Sequence, residues 1–236
     1  MLKQGSDLSQ RQVALIAGFA LLLMVVLAPV GLFAIIENVL VPGDGAATTR
    51  QLVESENVFR IGIGCLLLNA VLDLVAAWAL YILLKPVSKS FSLLAAWFRI
   101  AYTVMLVVAL GHLLGSLKLA GGADYLAELA PPQLHAQVMM SVNAFRDVWD
   151  ISYVLFGLHL GVLGYLVFKS GFLPKFVGTL VCLAGLGYLV DAFGLVLFSG
   201  YDLDIAIYTF VGEAFLFVWL LIRGFRGFDI KKASHA

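Results

Sequence analysis

The run FRDVWDISYVLFGLHLG, residues 145–161, places Arg146, Asp147 and Asp150 at the head of an apolar stretch and a single imidazole, His159, inside it. Carboxylates and a guanidinium can pair with each other or hold an ion. An imidazole titrates near neutrality and serves as proton carrier, base or metal ligand. Other polar side chains in apolar surroundings are Glu37, Asn38, Arg60, Asn69, Asp73, Arg99, His112, Asp191 and Glu213. An ionisable group in hydrocarbon costs a few kcal/mol or more, so it normally faces the protein interior and has a partner.

Three chemistries use such residues. His112, Asp147 and Asp150, with Glu37, are hard or borderline ligands that suit zinc or a similar ion. No HExxH or CxxC motif accompanies them, and carboxylates near arginines more often form ion pairs. Haem would need two axial histidines at one depth. His112 and His159 fall about 12–14 Å apart along the membrane normal by residue count, which argues against haem. A hydrolase would need a nucleophile against its base. Ser152 and His159 share a helix face but lie seven residues, or about 10 Å of rise, apart, which defeats a direct hydrogen bond.

The elements that must position these residues are transmembrane helices. Of 236 residues, 62% are hydrophobic and only 13% are charged, and the apolar residues come in blocks. Six stretches, about 12–36, 58–84, 91–117, 147–168, 176–198 and 205–223, are each long enough to cross a bilayer. The first is too long for the apolar core of a secretory signal and is expected as an uncleaved helix, bent at Pro29. The expected fold is therefore all-α: a polytopic six-helix bundle forming one domain over residues 1–236. Net charge is zero with no basic cluster, which gives no support for nucleic-acid binding. Cys65 and Cys182 lie in apolar runs and read as small buried hydrophobes.

Basic residues set the expected orientation. Lys3 and Arg11, Lys85 and Lys89, Lys169 and Lys175, and Arg223, Arg226, Lys231 and Lys232 fall on one set of connections and ends. The other connections are mainly acidic. The positive-inside rule then puts both termini in the cytoplasm. Trp97, Tyr81 and Trp219 near inner ends, with Tyr125 and Trp149 outside, fit interfacial belts. Residues 38–57 hold a Pro-Gly-Asp-Gly turn signal and a polar stretch. Beyond the break at AlaGlyGlyAlaAsp, Pro131 can open a helix. Leu134, Val138, Val142 and Phe145 recur at helical spacing there. They predict an amphipathic outer segment that either lies on the membrane or extends helix 4.

On this topology an outer polar cluster would comprise Glu37, Arg60, His112, Arg146 and Asp147, with Asp150. Deeper, His159 would meet Asp191 or Glu213. Asn69 and Asp73 lie one turn apart on one face of helix 2. Asp150 and His159 are nine residues apart, about 180° around a helix, so they cannot face one point. Against each functional reading stands a structural one. His159 can be a core histidine bonded to Tyr153, Tyr188 or a backbone carbonyl, and the charged pairs can only fix helix register. The glycines of helices 4 and 5, including Gly157-x-x-x-Gly161, suit close helix packing.

The segments GLHLGVLGYLVFKSGFLPKFVGTLVCLAGLGYLVDAFG (157–194) and FVGEAFLFVWLLIRG (210–224) resemble the C-terminal half of a bacterial integral membrane family, domain of unknown function 4386. The resemblance implies a multi-pass protein of the bacterial cytoplasmic membrane and draws Asp150, His159, Asp191 and Glu213 into its pattern. It supplies no reaction, cofactor or catalytic residue. The leading expectation is binding or transport of a small molecule, lipid headgroup or ion through an outward-facing polar cavity. His159, Asp191, Glu213, Asp150, Asn69 and Asp73 would be the ligand or proton-binding residues. A membrane-embedded, metal-dependent hydrolase or transferase and a structural accessory subunit are the alternatives. The lipid bilayer is the expected surrounding.

Overall fold

The computed structural model describes residues 8–122 and 129–226. Lys3, Tyr125, Lys231 and Lys232, invoked above, lie outside the described residues. Among the described residues the chain is all-α, with no strand. Its order is α1 (Gln10–Pro29), a π-helical segment (Val30–Ile36), α2 (Glu37–Val39), α3 (Gly45–Glu54), α4 (Glu56–Leu84), α5 (Lys89–Ala120), α6 (Pro131–Lys169), α7 (Lys175–Leu197), α8 (Ile205–Thr209) and α9 (Val211–Arg226). Six helical stretches are long and apolar enough to cross a membrane: Gln10–Val39, α4, α5, α6, α7 and Ile205–Arg226. Each overlaps one of the six stretches expected from hydropathy.

Local chemistry explains the departures from that expectation. Pro29 does not end the first helix; the ladder widens into π geometry directly after it. Proline cannot donate, and its ring crowds the carbonyl four residues back, so looser pairing relieves both problems. Gly31 sits in this segment, where an added Cβ would lie 2.9 Å from Cys65 Cβ and 3.0 Å from Gly62 O, so α4 packs close at that point. The polar stretch 45–54, read as a loop, forms α3. Asp44 caps it, its carboxylate accepting from Ala47 N at 2.9 Å. Gly122, at φ +65°, follows α5 in the left-handed region open to glycine.

The outer segment before helix 4 is not a separate surface helix. It is continuous with the span, forming one helix of 39 residues. Its amphipathic pattern holds: Val138, Val142 and Phe145 are buried, whereas Met140 is exposed. Pro131 lies at the first helical position, where its missing N–H costs nothing.

The chain resolves into two compact units, each made of separate segments. One comprises Leu23–Val71 and Thr103–Ser152; the other comprises Met1–Leu22, Leu72–Tyr102 and Tyr153–Ala236, so far as these are described. In the second unit, glycines allow α6 and α7 to touch by their backbones. A Cβ at Gly164 would lie 2.6 Å from Gly178 O, and one at Gly178 would lie 2.5 Å from Phe168 N. In the same unit Arg11 Nε donates to Gly224 O at 2.8 Å, tying α1 to α9.

Candidate functional site

The second unit carries the deepest polar centre. Its members come from α4, α5 and α6 at matching distances from the ends of their helices. Asp73 lies eleven residues before Leu84, Arg99 ten after Lys89, and His159 ten before Lys169. At 1.5 Å per residue each is about 15 Å from its helix end, near half the thickness of a ~30 Å hydrocarbon core. All three side chains are buried, with Arg99 only 1% exposed.

Arg99 joins the other two. Its Nη2 lies 2.6 Å from Asp73 Oδ1, and its Nη1 lies 3.0 Å from His159 Nε2. A guanidinium can only donate, so His159 Nε2 must be the acceptor. The ring's proton is then on Nδ1, which donates to Ala95 O at 2.9 Å. That carbonyl lies in the second turn of α5, inside the helical ladder, so the imidazole uses its second lone pair. His159 is thus a neutral imidazole with both nitrogens engaged. Of the partners considered from sequence, the backbone carbonyl is the one found, and the bond to Arg99 was not foreseen. Neither Asp191 nor Glu213 bonds to His159. Arg99 also lies over the Phe156 ring, 5.5 Å from its centroid, in cation–π range.

An aromatic group continues the centre. Phe156 packs edge-on against Tyr188 with centroids 5.0 Å apart, and Tyr188 against Tyr153 at 5.1 Å. Glu213, on α9, is half-buried. Glu213 Oε1 and Asp73 Oδ2 are buried acceptors without a hydrogen-bond partner. A small void beside the centre is lined by His159, Ala95 and Ala77 and, nearer the α4–α5 connection, by Tyr81, Leu84 and Ser92. It has room for about one water.

Asp191 has a different role from the one expected. Its Oδ1 accepts from the Tyr201 hydroxyl at 2.6 Å and from Ile205 N at 2.9 Å, and its Oδ2 accepts from Ala206 N at 2.6 Å. The first N–H groups of a helix have no partner within it, and a carboxylate there also meets the positive end of the helix dipole. Asp191 therefore caps α8 from the neighbouring helix α7. Its bond to the Tyr201 phenol, which lies outside the spans, pushes that hydroxyl up to about 12.

The outer residues belong to the first unit and are mostly dispersed. Arg146 Nη2 pairs with Glu37 Oε2 at 2.7 Å, as expected, with both side chains about one-third exposed. Arg60 does not join them; it turns to Glu56, four residues away on the same helix, at 2.7 Å. Asp147 is exposed, whereas His112 and Asp150 are half-buried. Among the described residues no three His, Cys, Asp or Glu side chains are gathered as metal ligands would be, so His112, Asp147, Asp150 and Glu37 do not converge. Ser152 donates to Trp149 O, a bond within its own helix. Asn69 is buried on α4, one turn before Asp73, and its Oδ1 has no hydrogen-bond partner.

Sequence reasoning missed Arg99 as the hub. The signal was available: counting from the loop-side ends of helices 2, 3 and 4 puts Asp73, Arg99 and His159 at one level.

Six apolar spans define a multi-pass membrane protein. Residues 16–224 match the family described as domain of unknown function (DUF4386), and the chain belongs to that family. A protein of Archaeoglobus fulgidus described as an uncharacterized protein is 38% identical over 154 residues, covering 65% of this chain and 78% of its own length. That relative is archaeal, so it does not carry the bacterial source implied by the resemblance. No solved structure matches the chain.

Proposed function

We propose that this protein binds or transports an ion, a lipid headgroup or a small polar molecule at the intramembrane centre formed by Asp73, Arg99 and His159 with Glu213. One observation carries the reading. Asp73 Oδ2, on the carboxylate paired with Arg99, and Glu213 Oε1 are buried acceptor atoms with no hydrogen-bond partner. An unsatisfied buried acceptor costs about 1–3 kcal/mol, more if charged, and in hydrocarbon such groups usually serve ion or substrate pathways. A centre whose only task was helix register would be cheaper with every acceptor filled.

In this reading the surrounding membrane is the cytoplasmic membrane and both termini face the cytoplasm. The basic residues Lys85, Lys89, Lys169, Lys175, Arg223 and Arg226 support that orientation. A reporter fused after Ala236 reads cytoplasmic if this is right; a reading from the opposite side overturns it.

The binding role is tested by native mass spectrometry of the full chain released from detergent, wild type beside Asp73→Asn. The expected result is a small ion or molecule retained by the wild type and lost from the variant. If the wild type retains nothing and Asp73→Asn cells grow normally, the accessory-subunit reading replaces this one.

A further inference from the structure

We propose that the seam between the start of α1 and the end of α9 binds the phosphate of an anionic phospholipid, with Arg11 and Arg223 as its ligands and Arg226 beside them.

The seam lies inside one compact unit. The two helices pack closely there: a Cβ at Gly224 would lie 2.6 Å from Leu15 Cγ, and one at Gly18 would lie 2.8 Å from Leu221 Cγ. Arg11 Nε donates to Gly224 O at 2.8 Å, so its guanidinium rests against the last turn of α9, which also carries Arg223 and Arg226. That bond fills one of the carbonyls that a helix end leaves open. The Nη groups of Arg11 bond to nothing among the described residues. Arg223 is half-buried, and its buried Nε has no partner. None of the three arginines forms an ion pair among the described residues. The nearest carboxylate on either helix is Glu213, ten residues or about 15 Å of rise before Arg223. Planar guanidiniums held in this way, with no carboxylate of either helix to meet them, suit the paired oxygens of a phosphate.

The surroundings favour a lipid as the source of that phosphate. Phe225 falls between Arg223 and Arg226 in the chain and stands edge-on to Phe19 of α1, with ring centroids 6.1 Å apart. The two rings are 59% and 45% exposed, an apolar surface for an acyl chain next to the arginines. The spans that form the seam are also the least covered by the rest of the chain. In Gln10–Val39 and Ile205–Arg226, 22% and 17% of the most apolar stretch is buried, against 39% or more in the other four. Lipid therefore reaches the seam from the side. A second copy of this chain, docked on the same face across a two-fold axis, would set its own arginines against these, and like-charge repulsion opposes that. The site lies at the helix ends, apart from Asp73, Arg99 and His159, and does not depend on what that centre binds.

The experiment is native mass spectrometry of the full chain, titrated with phosphatidylglycerol or with zwitterionic phosphatidylcholine of the same acyl chains. The wild type is expected to bind its first phosphatidylglycerol more tightly than its first phosphatidylcholine. Arg223→Gln breaks no hydrogen bond or ion pair among the described residues, so it should keep the fold. It should weaken the first phosphatidylglycerol about fivefold and leave phosphatidylcholine unchanged. Arg11→Gln/Arg223→Gln should abolish the preference. Lys85→Gln/Lys89→Gln removes the same charge from the same end of the spans and should keep most of it. No preference in the wild type, or an unchanged preference in Arg223→Gln, overturns the site. An equal loss in the lysine variant overturns it in favour of diffuse attraction along that end. Competition by millimolar inorganic phosphate overturns it in favour of a free anion, and a dimer that excludes the lipid overturns it in favour of a second copy.

Discussion

Arg99 donates to His159 across 3.0 Å, which fixes the imidazole as acceptor at Nε2 and donor at Nδ1. His159 thereby holds the guanidinium in place for Asp73. The histidine that looked most like a reactive group in the sequence is a positioning residue for an arginine that did not.

Removing that arginine should be the most damaging single change in the centre. Arg99→Leu leaves Asp73 buried without its cation, and breaking a buried pair this way costs about 3–5 kcal/mol. Thermal melts in detergent should show a large loss for Arg99→Leu. The double variant Arg99→Leu/Asp73→Leu should regain most of it. If the double variant is as unstable as the single one, the pair is not the cause.

His159→Phe should cost less. It removes the acceptor for Arg99 Nη1 and a donor to Ala95 O, but the carbonyl keeps its place in α5. A loss of about 1–3 kcal/mol is expected for the unsatisfied donor, read as a lower melting temperature. A variant as stable as the wild type would show that Arg99 Nη1 has found a replacement partner.

Tyr201 provides a pH-dependent signature outside the spans. Its hydroxyl donates to Asp191 at 2.6 Å, which raises its pKa from about 10 to about 12. The folded value lies above the unfolded one, so the stabilisation is fully present below pH ~10. It is lost as the pH rises through about 12. The difference in tyrosinate absorbance between wild type and Tyr201→Phe should titrate near 12. In Asp191→Asn the same difference should move back toward 10; no movement would mean that Asp191 does not hold the proton there.

The Glu37–Arg146 pair predicts a small effect. Both side chains are about one-third exposed, so water competes with the bond. A double-mutant cycle with Glu37→Gln and Arg146→Gln should give a coupling of about 1 kcal/mol or less, shrinking with added salt. A coupling of several kcal/mol would mark this pair as part of a larger network.

Helix contact between α6 and α7 is testable at two glycines that look alike in the sequence. Gly178→Ala brings a Cβ within 2.5 Å of Phe168 N and should force the helices apart, with a clear drop in melting temperature. Gly161→Ala meets nothing within 4 Å and should be tolerated. Equal effects from the two would contradict the backbone contact at Gly178.

The six spans were legible because hydrocarbon imposes a minimum length and strong apolarity on every segment that crosses it, and these properties survive in one dimension. The Glu37–Arg146 pair was foreseen for a related reason: both residues were expected near the outer ends of their helices. Helix α3 was not, since its polar residues carry no membrane signal and Asp44 supplies the start only through its capping geometry. Nor was the helix-capping role of Asp191, which depends on Ile205 and Ala206 folding back to meet it. Rotation about each helix axis decided the rest. Residue counting gives the level of Asp73, Arg99 and His159, but whether three side chains at one level meet depends on which face each helix turns to its neighbours. That choice is made by packing, through contacts such as Gly164 against Gly178, and only the tertiary structure records it.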